Sequence, residues 1–515
     1  EQAHSHLEGL REWTFKHPLM QEVAYAALAD SSRRELHARA GRWLGSVGED
    51  DAIVASHLEL GNEFAEAARH LERAARRALA ANLLRQAVDY AEKALAHAES
   101  REEAFSAALV LDEAWARLDA RAADRHTAVQ ALVDNAHDDA SRLRARSSRA
   151  RYADASGGGE GVVAELETLR GEAEALGLVD EEVRLAAALA TRHAFSGNYD
   201  DAERVAGHLL AAARGGGFAG AAVDGWQALA VVHQARGAPV AALEARRAAV
   251  SAAAAANLKT REAMLSINVG FALTTLGASA EARQSIDAGV GLATAIGATG
   301  GERHGRMVLL GWTSEFGTDP RADALLAEER ARLDEVASGA WLPSDRGSLG
   351  LVYYRALEHL RASDGAGVAL AEKLLRAAVS GYEHTQMLDL LPVALGRLAA
   401  AELAQGSIDG ALALASRAAQ LVETGAPSLM NEAPIFLALH DALADKDDRE
   451  GAARAIARGT PFFERRIAGL RGTPYALSFV SNLHDNARFS ALAQRYGHVG
   501  EDLEAIVQRQ SDLGL

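Results

Sequence analysis

The chain has 515 residues, too many for one globular core, so it either divides into domains or repeats. Hydrophobic residues make up 49% but aromatic ones only 5%, so the apolar mass is mainly Ala, Leu and Val, which favours helices that approach closely. A net charge of −17 argues against a broad nucleic-acid footprint and against docking on anionic membranes, and the absence of cysteine excludes disulfides, zinc ribbons and thiol catalysis. A reducing cytoplasm is the simplest home for such a chain. No apolar run approaches the roughly 18–20 residues a membrane span needs. The start, EQAHSHLEGLREW, has neither an initiator Met nor the apolar stretch of a signal peptide, and the chain is expected to begin partway through a longer protein.

Residues 11–44 do not share the pattern of the rest of the chain. Phe15 to Leu19 reads as a short extended piece with a proline, and two amphipathic helices are predicted near 18–29 and 31–45. Ser31 or Ser32 can cap the second, with Glu35 in its first turn. Phe15, His17, Leu19, Glu22, Val23, Tyr25, Leu28, Arg33, Arg34 and His37 together resemble the junction of bacterial STAND-class signal-transduction NTPases, in which a nucleotide-binding domain and a winged helix precede a helical-repeat sensor. The maltose-regulon activator type, and regulators fused to kinases or cyclases, belong to that class. The stretch HLELGNEFAEAARHLERAARRAL also resembles the first repeats after that junction, so the likeness covers residues 13–98. It implies an upstream nucleotide-binding module. No Gly-x4-Gly-Lys-Ser/Thr phosphate loop occurs in the 515 residues, so nucleotide hydrolysis does not carry over to this chain.

Past residue 50 the sequence is periodic. Two short units are marked by Ala67 and Ala87, then Ala128 with Ala116 twelve residues before, then Val162 with Ala150 before and Leu166 and Leu169 after. Ala202, Ala242, Ala282 and Ala322 are forty residues apart, each preceded at twelve residues by Ala190, Ala230, Gly270 or Leu310. A turn lies between the marks of each unit: GNYDDA, GAPVAA, GASAEA and GTDPRA. The register blurs near 345–380, where Ala369 and Ala371 both fit, and returns with Ala411 and Ala453. A fixed period with one helix–turn–helix per unit marks an α-solenoid. Small residues where two helices cross, with Trp226 at a position where the motif often has Trp, resemble the tetratricopeptide repeat in a long form. The expected fold is all-α: a right-handed solenoid of tetratricopeptide-like hairpins with a period of about forty. Its expected divisions are a junction end at 1–45, short first repeats at 46–100, the superhelix at 101–480 and capping helices at 481–515.

Signs of chemistry are sparse. The glycine clusters GGGEG at 157–161 and GATGGERHG at 297–305 lack the preceding strand of a phosphate cradle and read as loops. Among 18 histidines none forms a His-Glu-x2-His pair, and His193 and His233 fall on repeat-core positions, so no metal or other cofactor is expected. There is no Gly-x-Ser-x-Gly elbow, and the chain is expected not to be an enzyme. Arg142, Arg146 and Arg149 share one helix face and form a candidate anion or partner patch; alternatively they pair with acidic neighbours such as AELETLRGEAEAL at 164–176.

The remaining candidate is the inner face, lined in tetratricopeptide stacks by the first helix of each unit. The marks place Asp224, Gln227, Val231 and Gln234 there, then Met264, Ile267, Phe271 and Thr274, then His304, Met307, Gly311 and Ser314. This mix of apolar and neutral polar groups suits a protein, a peptide or a small effector, and not nucleic acid or membrane. The expected function is a non-enzymatic sensor or scaffold region of a cytoplasmic bacterial signalling regulator. The alternative is a free-standing tetratricopeptide adaptor that assembles a protein complex.

Overall fold

The computed structural model describes residues 15, 17–118, 123–155, 161–215, 218–336, 346–362, 365–385, 389–425 and 430–513. Every regular element among them is a helix. The chain divides into two units, 1–188 and 189–515.

The first unit holds α1 (Pro18–Ala26), α2 (Asp30–Ser46), α3 (Asp51–Leu60), α4 (Phe64–Ala80), α5 (Leu84–His97), α6 (Arg101–Leu118), α7 (Ala123–Asn135), α8 (Asp139–Ala155), α9 (Val162–Ala175) and most of α10 (Val179–Phe195). The marks Ala67, Ala87 and Ala128 are fully buried, because only a methyl fits where the helices cross. Ala116 and Val162 are half-buried, and Leu166 and Leu169 fill the core beside the latter. The start of α2 corrects the expected cap. Ala29, not Ser31 or Ser32, is the N-cap, and Asp30 puts its carboxylate in the first turn, where the helix dipole favours it. On α1 no residue is buried. A buried ion pair links two helices: Arg125 Nε donates to Asp112 Oδ1 at 2.7 Å, and the hydroxyl of Ser148 donates to the other carboxylate oxygen.

The second unit continues with α11 (Tyr199–Arg214), α12 (Ala219–Ala235), α13 (Pro239–Ala255), α14 (Lys259–Thr275), α15 (Ser279–Ala295), α16 (Thr299–Phe316), α17 (Pro320–Val336), α18 (Arg346–Ala362), α19 (Gly365–His384), α20 (Leu391–Ala404), α21 (Ile408–Glu423), α22 (Ala433–Asp445), α23 (Arg449–Ala468), α24 (Tyr475–Ser481), α25 (His484–Tyr496) and α26 (Glu501–Leu513). The helices α12 to α15 have 17 residues each and are joined by three-residue turns, which accounts for a period of forty. The turn chemistry repeats as well. Gly237, Asn257, Gly277 and Gly297 are left-handed, with φ of 73°, 53°, 73° and 67°. Each closes the helix before it in the same way: Ala278 N–H, for example, reaches Leu273 C=O at 3.0 Å and Gly277 N–H reaches Thr274 C=O at 3.1 Å. This satisfies carbonyls that a helix end otherwise leaves open.

The small-residue marks fall at helix crossings. Ala190, Ala202, Ala230, Ala242, Ala282, Ala322 and Leu310 are all at most 3% exposed. A Cβ on Gly270 would sit 2.5 Å from Ile286 Cγ1, so α14 and α15 meet there at a distance only glycine allows. In the blurred stretch Ala371 takes the buried place and Ala369 does not; near the end Ala452 and Ala455 are buried and Ala453 is half-buried. The glycines of GATGGERHG are not one loop. Gly297 makes the turn, but Gly301 and Gly305 lie inside α16, where a Cβ on Gly305 would meet Val290 Cγ2 at 2.4 Å. They let α16 approach α15. Of GGGEG only Gly161 lies within the described residues, immediately before α9.

Candidate binding cleft

Five alternating helices of the second unit, α14, α16, α18, α20 and α22, contribute to one cleft. Phe271, Thr274 and Thr275 come from α14; Val308, Gly311 and Glu315 from α16; Tyr353, Tyr354 and Leu357 from α18; Val393 and Arg397 from α20; and Pro434 from α22, preceded by Met430 and Asn431. Leu483, Asp485 and Asn486, from the C-terminal helices, complete the lining. The space between these residues is about 620 Å³, its open mouth included.

Packing around the cleft depends on small residues meeting flat ones. Gly311 lies against the Tyr354 ring, where a Cβ would be 3.1 Å from two ring carbons. Tyr353 and Tyr354 stand edge to face at 5.2 Å. The hydroxyl of Thr274 donates to Gly270 C=O at 2.9 Å and that of Thr275 to Ala272 C=O at 2.8 Å. Both protons are therefore committed to the backbone, and the two oxygens remain as acceptors.

The charged groups compensate one another. Arg397 pairs with Asp485, and Arg361 pairs with Glu315 at 2.8 Å. Burial opposes ionisation of Asp485, but the Arg397 charge and hydrogen bonds from Arg397 and His484 outweigh it and hold its carboxyl well below the usual range. Burial likewise opposes the charge on Arg397, yet Asp485, Tyr353 and Glu315 keep its guanidinium firmly protonated. Burial pushes the Tyr353 phenol up, so it stays neutral. Of these groups Arg397, Asp485 and Glu315 line the cleft, and Arg361, which partners Glu315, lies outside the lining.

The C-terminal segment is held over these helices by specific contacts. Ser478 Oγ donates to Leu276 C=O at 2.8 Å and Asn482 Nδ2 donates to Gly277 C=O at 2.9 Å. Tyr475 OH donates to Glu281 at 3.1 Å. The carbonyls of Leu276 and Gly277 lie just past the end of α14, where the helix itself supplies no donor. The Gly277 turn is closed over: a Cβ there would be 2.2 Å from Ser478 C=O, whereas the equivalent Gly297 has nothing within 4 Å. A smaller cleft lies nearby, lined by Gln234, Pro239, Thr275, Leu276, Asn431, Arg466, Leu470 and Phe479.

The predicted inner-face residues separate accordingly. Phe271, Thr274 and Gly311 line the main cleft, and the buried Gln234 lines the smaller one. Asp224 and Gln227 are both engaged by Arg261, the latter at 2.7 Å. Val231 is half-buried and Met264 is exposed. Ile267 is fully buried in the core. His304 bonds Asn268 at 2.7 Å, and burial pushes its imidazole down to about 4. Met307 packs where a Cβ on Gly350 would meet its sulfur at 2.6 Å. Ser314 is buried with its hydroxyl on Gly311 C=O at 2.8 Å. In α16 the lining register is thus Val308, Gly311 and Glu315, one residue from the predicted Met307 and Ser314.

The arginine patch belongs to the first unit. Arg146 makes a two-pronged bond to Glu172 at 2.6 and 3.0 Å, Arg142 pairs with Asp139 at 2.8 Å, and Arg149 is exposed. Sequence reasoning missed Tyr353, Tyr354, Arg397 and Asp485. Arg397 had a signal, since it is the one charged residue in the apolar run LPVALGRLAAA. Asp485 had none, because only the return of the C-terminal segment brings it to the cleft.

Among the described residues no group of three or more His, Cys, Asp or Glu could hold a metal ion, and no helix is long and apolar enough to cross a membrane. No family model and no curated protein matches the chain. Solved structures similar to it include yeast Tom70 (11% identity, TM-score 0.33, covering 91% of this chain and 96% of that one). The Cut9–Hcn1 hetero-tetramer of the APC/C aligns at 12% identity and a TM-score of 0.39, over 96% of this chain and 94% of that one. The TPR domain of P58(IPK) aligns at 13% identity and a TM-score of 0.27, over 90% and 98%.

Proposed function

We propose that the chain is a non-enzymatic, tetratricopeptide-like sensor region of a bacterial cytoplasmic signalling regulator, and that the cleft of its second unit is the effector site. The observation that carries this is the two-part construction of the cleft. Alternating helices of the repeat supply most of the lining, and a segment returning from the C-terminus supplies Leu483, Asp485 and Asn486. A ligand there touches both parts, so its binding energy favours the state in which they are together. That coupling is what a sensor requires. Phe271 and Thr274 are the inner-face residues assigned to it. A peptide laid along Gln234, Phe271 and Thr274 would first have to displace residues 466–486, which favours a small effector over an extended peptide. The junction-like residues 13–98 support an upstream nucleotide-binding module as the element that reads the state. The test is partner capture by the full-length parent protein with ATP and with ADP, and with the cleft variant Phe271→Ala. Capture that changes with nucleotide and is altered by Phe271→Ala supports the sensor. Capture indifferent to both makes the chain a constitutive adaptor.

A further inference from the structure

Given that the cleft is an effector site, its chemistry narrows the effector, and we propose that it takes an uncharged ring compound carrying a hydroxyl or N–H donor. Three observations select this class. The walls are the side chains of Phe271, Tyr353, Tyr354 and Leu357, which match the flat faces of a ring and offer little to a flexible polar chain. The charged lining groups already have partners, Arg397 with Asp485 inside the cleft and Glu315 with Arg361 outside it. A charged ligand seated beside the enclosed Arg397–Asp485 pair would compete with the partner already there. The hydroxyls of Thr274 and Thr275 have given their protons to the backbone. Their oxygens, in the same lining as Glu315, ask for a donor from the ligand. The donor distinguishes the ligand from a plain hydrocarbon, because burying these acceptors under one would leave them unpaired.

The experiment uses the whole chain and four probes of one ring size: 2-naphthol, 2-methoxynaphthalene, 2-naphthoate and 2-naphthylmethylammonium, each titrated by calorimetry. The expected result is saturable binding of 2-naphthol with the other three at least about tenfold weaker, tenfold being the loss of one buried hydrogen bond. Thr275→Val, which keeps the shape and removes the acceptor, should bring 2-naphthol down to the level of its methyl ether. Should that variant fail to fold, Phe271→Leu tests the ring wall, with 2-naphthol weakened several-fold, and the methyl ether against the parent chain still tests the donor. Equal or tighter binding of either ion overturns the uncharged class while leaving the effector site standing. Equal binding of the methyl ether overturns the donor. No binding by any probe, or binding unchanged in both variants, overturns the cleft as an effector site and with it the sensor reading.

Discussion

Gly277 offers the sharpest test of how the second unit is held together. Replacing it with Ala introduces two costs that can be separated. The first is conformational: at φ 73° a residue with a Cβ is strained by about 1–2 kcal/mol. Gly297, at φ 67°, bears the same strain but has nothing within 4 Å of its would-be Cβ. The second cost belongs to Gly277 alone. Its Cβ would be 2.2 Å from Ser478 O, 2.7 Å from Ser478 C and 3.3 Å from Asn482 Cβ. A C···O contact needs about 3.3 Å, so the C-terminal segment must move by roughly 1 Å. That movement breaks Ser478 Oγ to Leu276 C=O and Asn482 Nδ2 to Gly277 C=O, each contributing about 0.5–1.5 kcal/mol. Gly277→Ala should therefore cost about 1–3 kcal/mol more than Gly297→Ala. Entropy changes in the unfolded chain are the same for both and cancel. Because a repeat protein need not unfold in one step, the assay is amide hydrogen exchange of residues 475–486 alongside urea titration. Exchange there should rise in Gly277→Ala and stay at the parent level in Gly297→Ala. If the two variants agree within about 0.5 kcal/mol and exchange alike, the segment does not bear on this turn.

The same packing sets three further outcomes. Ala230→Leu or Ala242→Leu should overpack a buried helix crossing and cost about 1–3 kcal/mol; melting like the parent would refute the register. Arg125→Leu should cost about 3–5 kcal/mol by leaving the buried Asp112 carboxylate without its countercharge, whereas Arg146→Ala, at an exposed pair, should stay within about 1 kcal/mol; equal losses in urea titration would contradict this. His304 makes stability depend on pH in a stated direction. Burial lowers its folded value to about 4 from an ordinary 6.5, so the unfolded chain takes up the proton first, and stability present above pH 6.5 is lost as pH falls toward 4. The stability difference between the parent and His304→Gln should shrink across that window, and a flat difference would overturn it.

The repeat is legible in the residues themselves. A methyl group or a bare Cα is the only thing that fits where two helices cross, so Ala202, Ala242, Ala282 and Gly270 had to recur at the spacing of the crossings. Left-handed turn residues obey the same local rule, and helix lengths are set by the turns. Local reasoning was weaker at the start of α2, where Ala29 and not Ser31 stands at the N-cap, and for Gly301 and Gly305, whose value lies in letting α16 approach α15. The inner face was legible only in part. Helical periodicity found Phe271 and Thr274 but, in α16, fell one residue from Val308 and Glu315, because a shift of one position still leaves a side chain near the same face. The cleft itself was a decision of tertiary structure. Tyr353 and Arg397 stand on alternating helices of the repeat, but Asp485 lies far along the chain and outside that alternation. What brings them together is a return of residues 466–486 onto α12 to α15, secured by side-chain hydrogen bonds to carbonyls that open helix ends leave free. A repeat fixes contacts between neighbours; a contact across about two hundred residues depends on how the units add up, which no single unit encodes.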